Sequence, residues 1–432
     1  MTDVYFDLSE LFLNSGVRFK YYGISRTVME VAYEMVTLHK NIRFVVYSPL
    51  HRRFFEVFPR IGADSPTGVL DHNLPLSATP VRLRQNTDQK SLLVRLFYKI
   101  AGLIVDFRNQ RRWNSIPEGS FKDVDLNSKL LISLGRPKIM SDYLLALQKS
   151  GVKPVFVPLL HDLIPLHDFK NRGQFSFPAN FLHDNKVIIE AASLILANSS
   201  FTKGEIVAFS QRGILPPVPE VVAIPLCHQM RNNGETISKS APVDRYLLCV
   251  GSYNGRKNLE CVVEAMLQLQ TRGADVPALV LAGARRKKVD KFLADSRFAN
   301  LQQKIHFVYD PNQAELEKLY RDAYALVLPS KMEGWGLPVS EALWCGTPAL
   351  AADVPALREA GGELAKYFDP EQPSSLTDLI EHLMSHPSEY KALKADIIAG
   401  HNQLRTWKDV ASDIVHAIDV NFAFVKERHE SA

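Results

Sequence analysis

The chain has 432 residues, of which 46% are apolar and 23% charged, with a net charge of +4. A single hydrophobic core stops growing at roughly 250 to 300 residues, so this length implies two domains. The composition is that of a folded globular protein and excludes a disordered chain, and no stretch approaches the ~20 consecutive apolar residues that cross a bilayer.

The opening MTDVYFDLSELF carries acids where an export signal carries Lys or Arg, so a cytoplasmic location is expected. The run VYFDL predicts a strand, and KYYGISRTVMEV leads into a helix over 26–38. In that second stretch Gly23 supplies a loop, while Ser25 reads as a helix N-cap and Arg26 as a surface charge. IRFVVYS predicts the next strand, and HRRFFEVFPR at 51–60 is basic and aromatic, a character that would add to a surface lying on anionic lipid headgroups.

Residues 82–112 hold eight cations (Arg82, Arg84, Lys90, Arg95, Lys99, Arg108, Arg111 and Arg112) against Asp88 and Asp106. Leu92, Leu93, Leu96, Phe97, Ile100, Leu103 and Ile104 interleave with them at helical spacing. Such a helix either lies on anionic lipid headgroups or is a core helix whose arginines face water. No nucleic-acid-binding fold accompanies the charge, so nucleic acid is not the expected partner.

LLISLG, PVFVPLLHD, ASLILANSS and VVAIP complete a first series of parallel α/β units. His161 and Asp162 end one of these strands. A histidine there is a candidate for hydrogen bonding or acid–base work, and equally for capping a turn. ANSSFTKGEI carries ordinary N-cap chemistry. The polar stretch QMRNNGETISKSAPVD then reads as a linker, so the expected domains are 1–228 and 245–403, with 229–244 between them.

The second series runs RYLLCVGSY, a helix over about 258–272, ALVLAG, KIHFVY, a helix over 313–322, YALVLPS, a helix from Pro338, TPALAA, and helices after 372. With two open parallel sheets, the natural ligand site is the cleft between the domains, at strand carboxyl ends. The four cysteines Cys227, Cys249, Cys261 and Cys345 form no CxxC pair and are expected to be reduced core thiols. ARRKK at 284–288 reads as a solvated loop.

Two segments of this half carry chemistry. In VGSYNGRKNLE, Arg256 and Lys257 precede a helix, where cations oppose the dipole unless an anion sits between them. In SKMEGWGLPVSEALWCGTP, Pro338 suits the first helical position, which places Glu341 in the first turn and Glu333 in the preceding loop. Unpaired N–H groups of Gly336, Leu337 and Val339 would make an anion-binding point. Carboxylates repel phosphate but accept from sugar hydroxyls, so these acids suit the sugars flanking a diphosphate. Taken alone, Glu341 complementing the dipole and Glu333 as a solvated turn residue is an even alternative.

RKN after a strand and glycine loop, with EGWGLPVSEALWCGTP some 75 residues later, resembles the retaining glycosyltransferases of family 4. The resemblance implies an α/β fold of GT-B type, with two Rossmann-like domains facing across a cleft. It implies that Glu333 touches the transferred sugar, Glu341 the ribose hydroxyls, Arg256 and Lys257 the diphosphate, and the backbone near Gly336 and Leu337 the sugar and phosphate oxygens. In similar enzymes the histidine corresponding to His161 lies beside the reacting sugar, and the loop at Gly23 approaches the donor phosphate. Helices over 404–432 are expected to cross back to the first domain, as in that family.

The expectation is a hexosyltransferase that uses a nucleotide sugar, GDP-mannose first, and a lipid-linked or polysaccharide acceptor in surface-polysaccharide or O-antigen synthesis. It lies in the cytoplasm, with 82–112 against the inner membrane face. No DxD-type metal site is present in the sequence, and the two cations are expected to do that ion's work without metal or other cofactor. A sugar-nucleotide 2-epimerase of the same fold and a non-catalytic scaffold are the rival readings.

Overall fold

The computed structural model describes residues 4–14, 23–38, 41–82, 92–167, 177–231, 236–251, 255–285 and 287–430. It divides into two compact units, Met1–Ile224 with Trp407–Ala432, and Pro225–Thr406. The boundary therefore falls at Ile224, just before the polar linker stretch.

Unit 1 is built on a sheet of eight strands with the order β10-β9-β8-β7-β1-β2-β3-β6. These are β1 (Val4–Asp7), β2 (Ile42–Ser48), β3 (Arg53–Val57), β6 (Phe121–Asp123), β7 (Leu130–Ser133), β8 (Val155–Leu160), β9 (Ile195–Ala197) and β10 (Val221–Ala223). A separate two-stranded ribbon joins β4 (Arg60–Ile61) to β5 (Leu70–Asp71). β1 and β7 are buried along their whole length, which is why they read as unbroken apolar runs rather than alternating ones.

The edge of this sheet departs from the all-parallel expectation. β3 and β6 run antiparallel to their neighbours. HRRFFEVFPR is therefore a strand, and Phe54 and Phe55 are only 1% and 2% exposed. Phe54 and Phe55 belong to the core, while Phe58, beyond the end of β3, stays exposed.

The helices of this unit are α1 (Ser9–Asn14), α2 (Gly23–Leu38), α3 (Leu92–Trp113), α4 (Pro137–Lys149), α5 (Ile164–His167), α6 (Phe177–Ala191) and α7 (Ser200–Gln211). α7 has its cap where the sequence placed one, since Ser199 Oγ accepts from the Thr202 N–H at 2.9 Å. α2 starts at Gly23, so Ser25 lies inside the helix and not at its cap.

α3 is turned inside out. Leu96, Phe97, Ile100, Leu103, Ile104 and Phe107 recur with a helical period and are 55 to 73% exposed. Buried Asn109 instead faces inward, donating to the Val81 carbonyl at 3.0 Å and accepting from its N–H at 2.8 Å. The reading of a core helix with water-facing arginines fails, because the apolar stripe itself is exposed. Arg84 and Lys90 lie outside the described residues.

Unit 2 holds a parallel sheet with the order β13-β12-β11-β14-β15-β16. Its strands are β11 (Tyr246–Val250), β12 (Ala278–Gly283), β13 (Ile305–Tyr309), β14 (Ala325–Leu328), β15 (Ala349–Ala352) and β16 (Lys366–Phe368). Around it lie α8 (Leu259–Thr271), α9 (Lys287–Leu293), α10 (Gln313–Asp322), α11 (Leu337–Trp344), α12 (Pro355–Gly361), α13 (Pro373–Ser385) and α14 (Pro387–Ala399). α10 starts on a capping box in which Asn312 and Glu315 each accept the other's backbone N–H at 2.8 Å. All four cysteines are buried free thiols.

The last helix, α15 (Trp407–Glu430), belongs to unit 1 and lies against α2, with Arg26 over the fully buried Trp407 ring. Arg26 is itself only 2% exposed, so it is no surface charge.

In each sheet the winding reverses between two adjacent parallel strands: β1 and β7 in unit 1, β11 and β14 in unit 2. The crevice beyond the carboxyl ends of such a pair is where open α/β sheets bind ligands.

Candidate active site

In unit 2 the switch point gathers the two motifs. A short 3-10 turn, Gly255–Lys257, follows β11 and ends at Asn258, which takes the left-handed conformation at φ 53° before α8 begins. Asn258 Nδ2 fixes this turn by donating to the Pro370 carbonyl at 2.8 Å. The loop after β14 is tied to it, since the Lys331 N–H donates to the Arg256 carbonyl at 2.8 Å. Residues 252–254 of the glycine loop lie outside the described residues.

That pairing of loops brings both cations onto one carboxylate. Arg256 Nη1 donates to the Met332 carbonyl at 2.6 Å and to Glu333 Oε2 at 3.0 Å, and Lys257 Nζ donates to Glu333 Oε1. Glu333 is 8% exposed. Burial alone pushes its carboxyl up, but the adjacent Lys257 and Arg256 charges outweigh it and hold the group below the ordinary glutamate range. Glu333 is thus no solvated turn residue: it is buried, and two neighbouring positive charges engage it directly.

Gly336 and Leu337 open α11, and the glycine is required on two counts. Its φ is +116°, and a Cβ there would stand 2.3 Å from Leu357 Cδ2. The helix starts at Leu337, one residue before the expected Pro338, so Glu341 falls beyond the first turn. The Val339 N–H is taken by the Gly336 carbonyl at 2.9 Å, which removes it from the expected set of unpaired donors. Glu341 is buried, and its Oε2 accepts from Tyr320 Oη at 2.6 Å. It does not act by complementing the dipole.

The tryptophan of the same loop is anchored from behind. Trp335 Nε1 donates to Ser340 Oγ at 3.0 Å, and the His228 ring meets the indole edge-on at 6.4 Å. His228 Nε2 donates to the Ala360 carbonyl at 3.0 Å while Nδ1 accepts from the Arg405 N–H at 3.2 Å. Burial lowers its pKa to about 4, so it is a neutral strut under the loop.

In unit 1, Gly23 is the exposed first residue of α2 at φ +55°. His161 follows β8, and its Nε2 donates to the Leu134 carbonyl at 2.8 Å. Burial lowers its pKa to about 4, so near neutral pH the ring is uncharged with Nδ1 as its acceptor. Asp162 accepts the Ile164 N–H at 3.1 Å and shapes the turn. Of the ARRKK run, Arg285 pairs with Asp290 at 3.2 Å on the surface, while Lys287 and Lys288 already belong to α9, so the run is a loop only in its first part.

Residues 233–398 match the model of the family described as glycosyl transferases group 1. The chain carries a group 1 glycosyltransferase domain. It is 24% identical over 274 residues to O-antigen chain mannosyltransferase B of Escherichia coli, an alignment covering 60% of this chain and 69% of that protein. It is 27% identical over 270 residues to the serotype-specific mannosyltransferase WbdA of Escherichia coli, covering 60% of this chain but only 32% of that one. Among solved structures, sucrose-phosphate synthase from Thermosynechococcus elongatus superimposes with a TM-score of 0.62 at 16% identity, over 98% of this chain and 100% of that one. The fold is that of the GT-B glycosyltransferases, and the Arg256–Lys257–Glu333 cluster lies within the group 1 domain.

Several contributors to this candidate site carry no sequence motif. Tyr320 sits on α10, far along the chain from the Glu341 it binds, and His228 lies at the start of the polar linker stretch. Among the described residues the one group with metal-compatible spacing is His382, His386 and Glu389, on the exposed junction of α13 and α14. No helix among the described residues is long and apolar enough to cross a membrane.

Proposed function

We propose that the chain is a retaining glycosyltransferase that moves a hexose, mannose from GDP-mannose in the first instance, onto a lipid-linked or polysaccharide acceptor in O-antigen synthesis. The observation that carries this reading is the convergence of Arg256, Lys257 and buried Glu333 at the switch point of unit 2. The mannosyltransferase names of the curated relatives support the choice of sugar.

A bound diphosphate offers Arg256 and Lys257 a doubly charged partner in place of a single carboxylate. Glu333 is then released to accept from hydroxyls of the sugar, and Glu341, pre-set by Tyr320, to accept from the ribose. As the bond from the anomeric carbon to the diphosphate breaks, its electron pair leaves on phosphate oxygen, where the two cations and the amino end of α11 stabilise it. The acceptor hydroxyl oxygen bonds the anomeric carbon on the face just vacated, and its proton passes to the departing phosphate oxygen.

The exposed stripe of α3 supports a lipid-linked acceptor and contact with an anionic membrane, since exposed Lys99, Arg108, Arg111 and Arg112 accompany its six large apolar side chains. A cavity of about 880 Å³ beside this helix, with Phe54, Leu103, Leu147, Lys99 and Lys149 in its walls, offers room for an amphiphile.

A thermal-shift screen against GDP, UDP, ADP and dTDP sugars tests the donor. A ligand at a hundredfold excess over its dissociation constant stabilises by ~2.7 kcal/mol. GDP-mannose should shift the wild type and lose that effect in Lys257→Ala; no shift with any sugar nucleotide overturns the reading. Release of nucleoside diphosphate without a mannosylated product would indicate epimerase chemistry instead. Flotation with phosphatidylglycerol vesicles, and its loss in Leu103→Glu, tests the membrane contact.

A further inference from the structure

The switch point of unit 1 is built like that of unit 2, and nothing above uses it. Glu10 lies just beyond β1, with a side chain wholly removed from solvent. Its Oε1 accepts from Asn14 Nδ2 at 2.9 Å, Ser25 Oγ at 3.1 Å and Arg136 Nε at 3.1 Å, and its Oε2 from the Arg136 backbone N–H at 3.2 Å. Arg136 lies just beyond β7, as the cap residue of α4. The floor beneath them is fixed by Asp7, which accepts from Ser133 Oγ at 2.8 Å and so links β1 to β7.

Glu10 thus grips Arg136 through Nε and the main chain, which leaves the fork of terminal nitrogens without a protein partner among the described residues. The Arg136 side chain is 49% exposed. Arg82 adds a second guanidinium, joined to the same cluster through Asn14 Oδ1 at 3.3 Å. Buried Glu10 therefore faces two arginines, and Asp142 also acts on Arg82, so the terminal fork of Arg136 is the part of the cluster left for an anion. Burying Glu10 is costly, and burial outweighs Arg136 to push its carboxyl upward. Held at Nε and at its own N–H, Arg136 keeps its terminal nitrogens clear of Glu10 on the exposed side of the pair.

We propose that Arg136, aimed by Glu10 and flanked by Arg82, binds a phosphoryl group on the acceptor side of the reaction, the phosphate or diphosphate of a lipid-linked acceptor. Arg136 is the binding residue, and Glu10 a positioning residue that acts through it. The identity of the phosphoryl-bearing molecule rests on the function proposed above; anion binding at this cluster does not.

The test uses the full chain carrying Arg256→Ala and Lys257→Ala, which removes the diphosphate site of unit 2, titrated calorimetrically with inorganic pyrophosphate. Saturable binding should remain, and Arg136→Ala on that background should weaken it by about tenfold or more, the equivalent of one charge-assisted pair. Arg136→Lys should recover part of the loss, keeping the charge without the fork. No residual binding, or residual binding indifferent to Arg136→Ala, overturns the proposal; if Arg136→Ala does not fold, Arg136→Lys and Arg82→Gln carry the same comparison. In the otherwise wild-type enzyme, Glu10→Gln should raise KM for a diphosphate-linked acceptor while leaving KM for the donor unchanged, a split that loss of stability alone does not produce. Should transfer activity fail altogether while pyrophosphate binding follows Arg136, the catalytic reading falls and this site stands.

Discussion

Two glutamates, one at each switch point, meet similar partners and end in opposite electrostatic states. Glu333 is 8% exposed and touches both Lys257 and Arg256, and its carboxyl is held below the ordinary range. Glu10 is 1% exposed and touches one cation, Arg136, and its carboxyl is pushed above that range. Burial acts the same way on both. The two cations in contact with Glu333 outweigh its burial, whereas Arg136 in contact with Glu10 and Arg82 farther off do not outweigh that of Glu10.

The largest effect should come from breaking the ionised member. Glu333→Ala should lower turnover by about a hundredfold or more, since the sugar loses the acceptor that orients it. Steady-state transfer by protein shown to remain folded checks this, and wild-type turnover would remove Glu333 from the site.

Next comes the loop that carries Glu333. Gly336→Ala places a methyl 2.3 Å from Leu357 Cδ2 at a φ of +116° and should destabilise the protein by about 2–4 kcal/mol. Urea unfolding measures it. A loss under about 0.5 kcal/mol would mean that the turn tolerates a side chain.

The pH dependence of stability should separate the two acids directly. Glu333, with its pKa depressed, contributes stability that is present above the unfolded value of 4.5 and lost as pH falls below it. Glu10, with its pKa raised, contributes stability that is full below 4.5 and lost as pH rises through its folded value. Glu333→Gln should therefore flatten the acid side of the profile, and Glu10→Gln the decline just above 4.5. Identical profiles for the two variants would erase the distinction.

The smallest effect sharpens the comparison with a third buried glutamate. Glu341 has a neutral donor, Tyr320 Oη at 2.6 Å. Tyr320→Phe should cost about 1–2 kcal/mol and should raise KM for the donor more than it lowers kcat. An unchanged donor KM would detach Glu341 from nucleotide binding.

Much of this was legible along the chain. Continuous apolar runs such as ALVL at β14 disclosed strands buried on both faces, and Pro338 and Gly336 marked the start of α11 to within one residue. Arg256, Lys257, Glu333 and Glu341 were singled out by type and spacing. Glu10 and Arg136 were passed over because 126 positions separate them and neither belongs to a local motif. Phe54 and Phe55 were misjudged because a short basic segment reads alike as a surface patch or an edge strand until its pairing partner is known.

Residue order alone determined the α/β periodicity, the near position of helix ends and the residue types able to hold a diphosphate and a sugar. These follow from backbone sterics, hydrophobic spacing and side-chain chemistry, which act over a few residues. Tertiary structure decided which charges meet. It set two cations on Glu333 and one on Glu10, turned the apolar stripe of α3 outward, and made His228 and Tyr320 supports of the site, because electrostatics inside a protein depends on distance and burial rather than on order in the chain.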